Sequence, residues 1–234
     1  MDSRLRGNDE WFSLLAQPSK PRPMTLIKIC GLSTPDTLSA ALAAGASHVG
    51  FVFFPPSPRN VGFDVANGLA QAVPNGRAKV GVFVDPDDAL IDAAMAAARL
   101  NVIQLHKTAP ERIAAIRART GRETWGAVAV KTRADLDGAR ALSGAADRVL
   151  YDAKTPPGAA LPGGMGLRFD WGLLDGFRHP LPWALSGGLD AGNVAEAIRV
   201  TRAPLVDVSS GVESAPGVKD AARILAFCTA VRGA

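Results

Sequence analysis

Residues 26–54 read LIKICGLSTPDTLSAALAAGASHVGFVFF. A short apolar run, Leu26–Cys30, leads into a helical pattern, Pro35–Ala44, and then into a second apolar run, His48–Phe53. The helix is punctuated at both ends. Ser33 or Thr34 stands where an N-cap belongs, and Pro35 suits a first helical position because its missing N–H would be unpaired there anyway. Gly45 stops it. Strand, helix and strand in so short a stretch make a βαβ unit, and near-continuous apolar strands suit a parallel sheet buried on both faces.

The pattern continues to the end of the chain. Six further apolar runs follow, at Lys79–Val84, Asn101–Leu105, Thr124–Val130, Arg148–Asp152, Pro182–Leu185 and Pro204–Val208. Helical patterns lie between or after them at Asp87–Leu100, Pro110–Thr120, Arg133–Leu142, Asp190–Val200 and Gly217–Val231. Strand starts fall about 22 or 23 residues apart, except after the second and sixth strands, where the interval exceeds about 30. Eight such units predict an α/β fold of one domain, a single (β/α)8 TIM barrel at the compact end of its size range. A doubly wound open sheet rarely needs eight regular units, and no GxGxxG opens the first helix. The two long intervals place loops at Phe54–Phe63 and Ala153–Phe169, rich in Gly and Pro. Both follow strand C-termini, the face of a barrel where active sites form.

Composition sets limits. The chain has 234 residues, 47% apolar and 21% charged, enough for one full core. A net charge of +4 with scattered basic residues gives no nucleic-acid footprint. Two cysteines, Cys30 and Cys228, stand nearly a chain apart, which fits a reducing cytoplasmic setting better than a disulfide scaffold. No Cys/His cluster has metal-ligand spacing, and no apolar run is long enough to span a membrane. Residues 1–23 differ from the rest, with Arg4, Arg6, Asp9, Glu10, Pro18, Lys20, Pro21, Arg22 and Pro23. They are read as a disordered extension or a misassigned start, with the catalytic barrel over 24–234.

The candidate chemistry sits at strand ends. Gly187-Gly188 follows the seventh strand and Ser209-Ser210-Gly211 the eighth, and loops seven and eight of a barrel often cradle phosphate with backbone N–H groups and hydroxyls. Tight turns alone would also use those glycines. Cys30, at the mouth of strand one, is either a small buried hydrophobe or a base or nucleophile. Asp152 ends the apolar run Val149-Leu150-Tyr151, where a carboxylate is costly unless it caps a turn or does chemistry. Asp207 reads as structural or as part of the phosphate loop. Arg59, in the stiff stretch Pro55-Pro56-Ser57-Pro58-Arg59, either faces solvent or aims at a substrate carboxylate. His106 reads as a satisfied structural histidine, and His48 and His179 as incidental.

Taken together, KICG, SPR, VGVFVDP, NVIQLH, VLYDAK, FDW, LSGGL and DVSSGVE, in that order from about Met24 to the C-terminus, resemble the phosphoribosylanthranilate isomerase family of tryptophan biosynthesis. The resemblance implies an Amadori rearrangement of N-(5-phosphoribosyl)anthranilate to a carboxyphenylamino-deoxyribulose phosphate. It implies Cys30 as general base, Asp152 as general acid and Arg59 on the anthranilate carboxylate. It also implies that Gly187, Gly188, Ser209, Ser210 and Gly211 hold the phosphate. Asp152 should then be kept neutral by burial, and Cys30 should have its pKa lowered locally. The substrate nitrogen supplies the electrons, so no cofactor or metal is expected, and the partner is a small phosphoribosyl substrate bound by a monomer or homodimer. Lys107 stands where the family commonly has glycine, and Met165 where it usually has a small hydroxyl residue. The competing readings are a histidine-pathway or bifunctional phosphoribosyl isomerase, which would need a second phosphate cradle, and a non-catalytic phosphosugar-binding barrel.

Overall fold

A computed structural model describes residues 24–156, 158 and 163–234. The segment 1–23 and part of the long sixth loop lie outside the described residues. Eight parallel strands close into a barrel in chain order: β1 Leu26–Cys30, β2 His48–Val52, β3 Ala78–Val84, β4 Val102–His106, β5 Glu123–Val130, β6 Arg148–Ala153, β7 Trp183–Leu185 and β8 Leu205–Val208. Closure comes from β1 pairing with β8, in a register that sets Lys28 opposite Asp207.

Strand alternation sorts the side chains into two cores. Ile27 and Ile29 of β1 point outward into the layer under the helices, with Phe51, Ile103 and Val149. Their neighbours Lys28 and Cys30 point inward, as alternation in a strand requires. The inner core holds Val80, Val102, Trp125, Ala184 and Leu205. Trp125 fills the lower barrel; its indole N–H donates to Glu123 at 2.7 Å, and Arg148 lies over its ring at 5.1 Å. With the interior filled below, the candidate site side chains Cys30, Asp152 and Arg59 collect at the upper, C-terminal mouth.

The outer ring is formed by α1 Pro35–Ala43, α2 Phe63–Gln71, α3 Asp88–Ala98, α4 Pro110–Thr120, α5 Asp137–Ala141, α6 Val194–Thr201 and α7 Ala221–Arg232. Thr34 caps α1 by accepting from the N–H of Thr37, and Pro35 occupies its first turn. The structure adds elements the sequence reading does not mark and moves the starts of two helices. α2 was not marked by pattern, because Gly62 at its N-cap provides no side-chain cap and Gly68 interrupts it. The sixth helical position is a single 3-10 turn, Trp171–Leu174. α6 starts at Val194 rather than Asp190, whose carboxylate instead accepts from the N–H of Gly192 in the preceding turn. The last helix starts at Ala221, because Glu213–Ala215 (β9) and Val218–Lys219 (β10) form a small antiparallel hairpin first.

Lys28 and Asp207 form an ion pair at 2.9 Å inside the barrel, with side-chain exposures of 0% and 5%. Burying one such charge alone is prohibitive, so each requires the other. Lys28→Met is expected to leave Asp207 uncompensated and to lower stability by about 3–5 kcal/mol. Denaturant unfolding of the variant at neutral pH measures this.

Candidate active site

The mouth of the barrel is a cleft of about 560 Å³, open to solvent. Its walls come from the upper inward positions of the strands, Cys30, Val52, Val82, Gln104, Leu150, Asp152 and Asp207, with Ser186 just past β7, Arg59 from the second loop and Gly163-Gly164 from the sixth. Cys30 and Asp152, singled out on opposite halves of the sequence, thus share one cleft.

Gly50 makes room for the thiol. A side chain there would meet the Cys30 Sγ at 3.2 Å and the Lys28 Cε at 3.3 Å. Sulfur and lysine tail therefore lie side by side on β1. Burial pushes the Cys30 thiol above its ordinary pKa; Lys28 opposes this and Asp207 adds to it. This corrects the expected lowering: in the free protein, loss of water outweighs the nearby ammonium. Burial likewise opposes the charge on Lys28, but Asp207 and Cys30 raise its pKa overall.

Asp152 is buried and its carboxyl is pushed up to about 7, first by burial and then by Asp207. The N–H of Ala153 donates to its Oδ1 at 2.9 Å. Gly163 packs on the other oxygen so closely that a side chain there would meet Oδ2 at 2.5 Å. Such a carboxyl is partly protonated at neutral pH and can deliver a proton.

Arg59 is buried rather than splayed into solvent. Its Nε and one terminal nitrogen donate to the two oxygens of Glu213 at 2.7 and 2.8 Å, and that same nitrogen donates to the Gly164 carbonyl at 2.9 Å. Glu213 also accepts from Lys219 at 2.6 Å. Burial alone would raise the Glu213 pKa, but Arg59 and Lys219 hold it below the usual carboxylate value.

A second, smaller recess continues from the cleft. Gly187, Gly188, Ser209 and Ser210 line it together with Met165, Gly166 and Leu167. Gly187 and Gly188 both have positive φ, 88° and 61°, which only glycine adopts at no steric cost. Side chains there would strike Ala153 at 2.6 Å and Leu167 at 2.8 Å. Gly211 is not among the residues lining either recess; a side chain there would collide with the Leu189 carbonyl, so it lets the eighth loop pack on the seventh.

Several residues at the mouth were not singled out by sequence reasoning. Lys28 was visible only as a charge inside an apolar run, two residues before Cys30. Glu213 closes the DVSSGVE stretch. Gln104 is buried with its side-chain oxygen unpartnered among the described residues, while its nitrogen lies 2.8 Å from His106 Nε2. His106 is satisfied, as expected, yet its ring also borders the cleft, and burial pushes it down to about 4. His179 bonds Tyr151 at 3.1 Å and His48 bonds Ser47 at 2.8 Å, neither of them at the mouth. Lys107 holds a left-handed φ of 52°, which explains why glycine suits that position.

The closed barrel with its functional groups at one mouth defines the class: a (β/α)8-barrel enzyme. Residues 27–230 match the family described as N-(5'phosphoribosyl)anthranilate (PRA) isomerase. The chain belongs to that family, and it is an isomerase of tryptophan biosynthesis. It is 56% identical to the N-(5'-phosphoribosyl)anthranilate isomerase of Azorhizobium caulinodans, over 89% of this chain and 92% of that one. It is 54% identical to that of Rhodopseudomonas palustris, over 88% and 95%. The solved phosphoribosyl anthranilate isomerase of Thermotoga maritima superposes with a TM-score of 0.80 at 34% identity, covering 90% of this chain and all (100%) of that one. Another solved isomerase, in complex with reduced 1-(o-carboxyphenylamino)-1-deoxyribulose 5-phosphate, superposes with a TM-score of 0.78 at 32% identity, over 90% and 100%. No helix among the described residues is long and apolar enough to cross a membrane.

Proposed function

We propose that this barrel converts N-(5-phosphoribosyl)anthranilate to 1-(2-carboxyphenylamino)-1-deoxyribulose 5-phosphate, with Asp152 as general acid and Cys30 as general base. The observation that carries this reading is the shared cleft: a carboxyl held near half-protonation at neutral pH and a thiol beside an ammonium, with a glycine-rich recess adjoining. Asp152 donates its proton to the ribose ring oxygen. The ring C–O bond breaks as the anthranilate nitrogen pushes its lone pair into a C=N bond. Cys30, as thiolate, removes the proton from the adjacent ribose carbon, and the electron pair returns toward nitrogen to give an enolamine. Tautomerisation of the enolamine yields the ketone. The substrate gains one proton from Asp152 and loses one to Cys30, so its net change is an isomerisation, and proton exchange restores the two side chains for the next turnover.

The other contacts follow from charge and shape. The Arg59 guanidinium meets the anthranilate carboxylate, and Gly187, Gly188, Ser209 and Ser210 receive the phosphate. Neighbouring backbone groups with hydroxyls suit an anion. The unpartnered Gln104 oxygen accepts from a sugar hydroxyl. Gly211 supports the cradle through loop packing. Formation of product from chemically condensed anthranilate and ribose 5-phosphate, followed by loss of substrate fluorescence, tests the assignment; no turnover would overturn it.

The cradle is best probed at Ser210, because any side chain at Gly188 collides with Leu167 regardless of ligand. Ser210→Asp sets a carboxylate against the phosphate, and like charges brought together cost several kcal/mol. KM is expected to rise roughly tenfold or more, with kcat much less affected. An unchanged KM would place the phosphate elsewhere.

A second expectation concerns pH. The active form needs Asp152 protonated and Cys30 ionised, although Asp152 loses its proton before Cys30 does. kcat/KM should therefore climb as thiolate accumulates, level off above about 7 as Asp152 ionises, and fall only when Cys30 itself is ionised. The two limbs are properties of the coupled pair. A rate already falling steeply from pH 7 upward contradicts this order.

A further inference from the structure

We propose that the hairpin following the last barrel strand, Glu213–Lys219, is a positioning element for substrate recognition, with Glu213 fixing which edge of Arg59 faces the cleft. The inference rests on the reading of Arg59 as the anthranilate carboxylate's partner. A guanidinium offers five N–H donors on three edges. Glu213 takes the edge formed by Nε and one terminal nitrogen, and Gly164 takes that nitrogen's remaining hydrogen. Among the described residues the other terminal nitrogen makes no hydrogen bond within the protein. Its position is given by Gly164, where a side chain would meet it at 2.8 Å, on the wall of the cleft. The guanidinium is thereby committed to presenting one nitrogen, in one direction, to an incoming carboxylate.

The hairpin is itself anchored on two sides. Gly217 donates its N–H to Glu213 Oε2 at 3.2 Å, and it packs so tightly on the Pro58 carbonyl that no side chain fits there. Lys219 donates to Glu213 Oε1 at 2.6 Å and to the carbonyl and hydroxyl of Ser209 at 2.9 and 3.2 Å. Arg59 Nε donates to that same Oε1 at 2.7 Å. One carboxylate oxygen thus holds two cations together in a site shielded from water. Two cations around one carboxylate keep a net positive charge for an anionic ligand, which an isolated Arg–Glu pair would not have. The hairpin also joins the carboxylate end of the site to the cradle residue Ser209.

This arrangement makes a prediction whose sign discriminates. If Glu213 served only to neutralise charge, Glu213→Gln would strengthen binding of a carboxylate. If Glu213 positions Arg59, its loss frees two buried cations to repel, Arg59 swings away, and carboxylate binding weakens. The probes are two open-chain amines: the reduced product, N-(2-carboxyphenyl)-1-amino-1-deoxypentitol 5-phosphate, and its phenyl counterpart without the carboxylate. Dissociation constants are measured by calorimetry for the wild type, Glu213→Gln and Arg59→Met. The wild type is expected to prefer the carboxylated ligand by roughly tenfold or more, the scale of a charge-assisted hydrogen bond. Glu213→Gln should lose most of that preference while binding the phenyl ligand within about threefold of wild type. Should Glu213→Gln fail to fold, Glu213→Asp keeps the charge but withdraws it by one methylene, and should show the same loss. A preference that persists or grows in the Glu213 variant, but vanishes in Arg59→Met, overturns the positioning role alone. A preference that survives Arg59→Met overturns the carboxylate reading of Arg59, and the positioning role with it.

Discussion

Asp152→Asn is expected to lower turnover by at least about a hundredfold, the ordinary scale of general acid catalysis. Asparagine keeps the shape and still accepts from the Ala153 N–H, but it cannot donate an acid proton to the ribose oxygen. Binding of the reduced, open-chain product analogue should change far less, because that ligand needs no protonation. Any residual activity should rise with pH until Cys30 is ionised, without the break near 7 that Asp152 gives the wild type. The same substitution should also stabilise the fold at alkaline pH. The carboxyl is raised from 3.8 in the unfolded chain to about 7 in the folded one, so folding favours its protonated form. No penalty exists below the unfolded value; it grows as pH rises between the two and is complete above the folded value. At pH 8 the penalty is on the order of a few kcal/mol, and asparagine removes it. Thermal melts of both proteins at pH 5 and pH 8 read this out as a gap that is small at pH 5 and much wider at pH 8. Normal turnover, or analogue binding lost as severely as turnover, would make Asp152 a binding or structural residue.

Cys30→Ala should be as damaging to catalysis and nearly silent in binding. In the proposed mechanism the thiolate acts only where the ribose carbon gives up its proton, so its removal should lower kcat by at least about a hundredfold. The fold should survive, because alanine is smaller and, among the described residues, the thiol's hydrogen-bond partner is Lys28 on the same strand. Lys28 keeps its partner Asp207 in that variant, which separates loss of the base from loss of the ion pair. Near-normal turnover in Cys30→Ala would remove the thiol from the mechanism.

Much of the architecture was legible because each parallel strand is buried on both faces and so reads as an apolar run between glycines and caps. The elements that escaped have weak or brief signatures. α2 lacks a capping side chain, and the hairpin strands Glu213–Ala215 and Val218–Lys219 are too short to show a period of two. At the mouth, Asp152 stood out as a carboxylate ending an apolar run. Cys30 stood out by place, but the direction of its pKa depends on how deeply the closed barrel covers it. The bond between Arg59 and Glu213 joins residues 154 apart in sequence, and no local pattern announces such a pair. Gly50 gave no sign either; its importance is the space it leaves for Cys30 and Lys28.

The Lys28–Asp207 pair joins the first strand to the last, 179 residues apart. During synthesis, therefore, the thiol's strand emerges from the ribosome long before its electrostatic counterweight exists. A nascent chain that ends before β8 carries Cys30 next to an ammonium whose ion-pair partner Asp207 is still missing, on a sheet still open at one seam. Contacts of such long sequence separation form late, since their loop-closure entropy must be met first. Catalytic competence is therefore expected only once the ends of the chain meet, and the appearance of activity during refolding should report barrel closure.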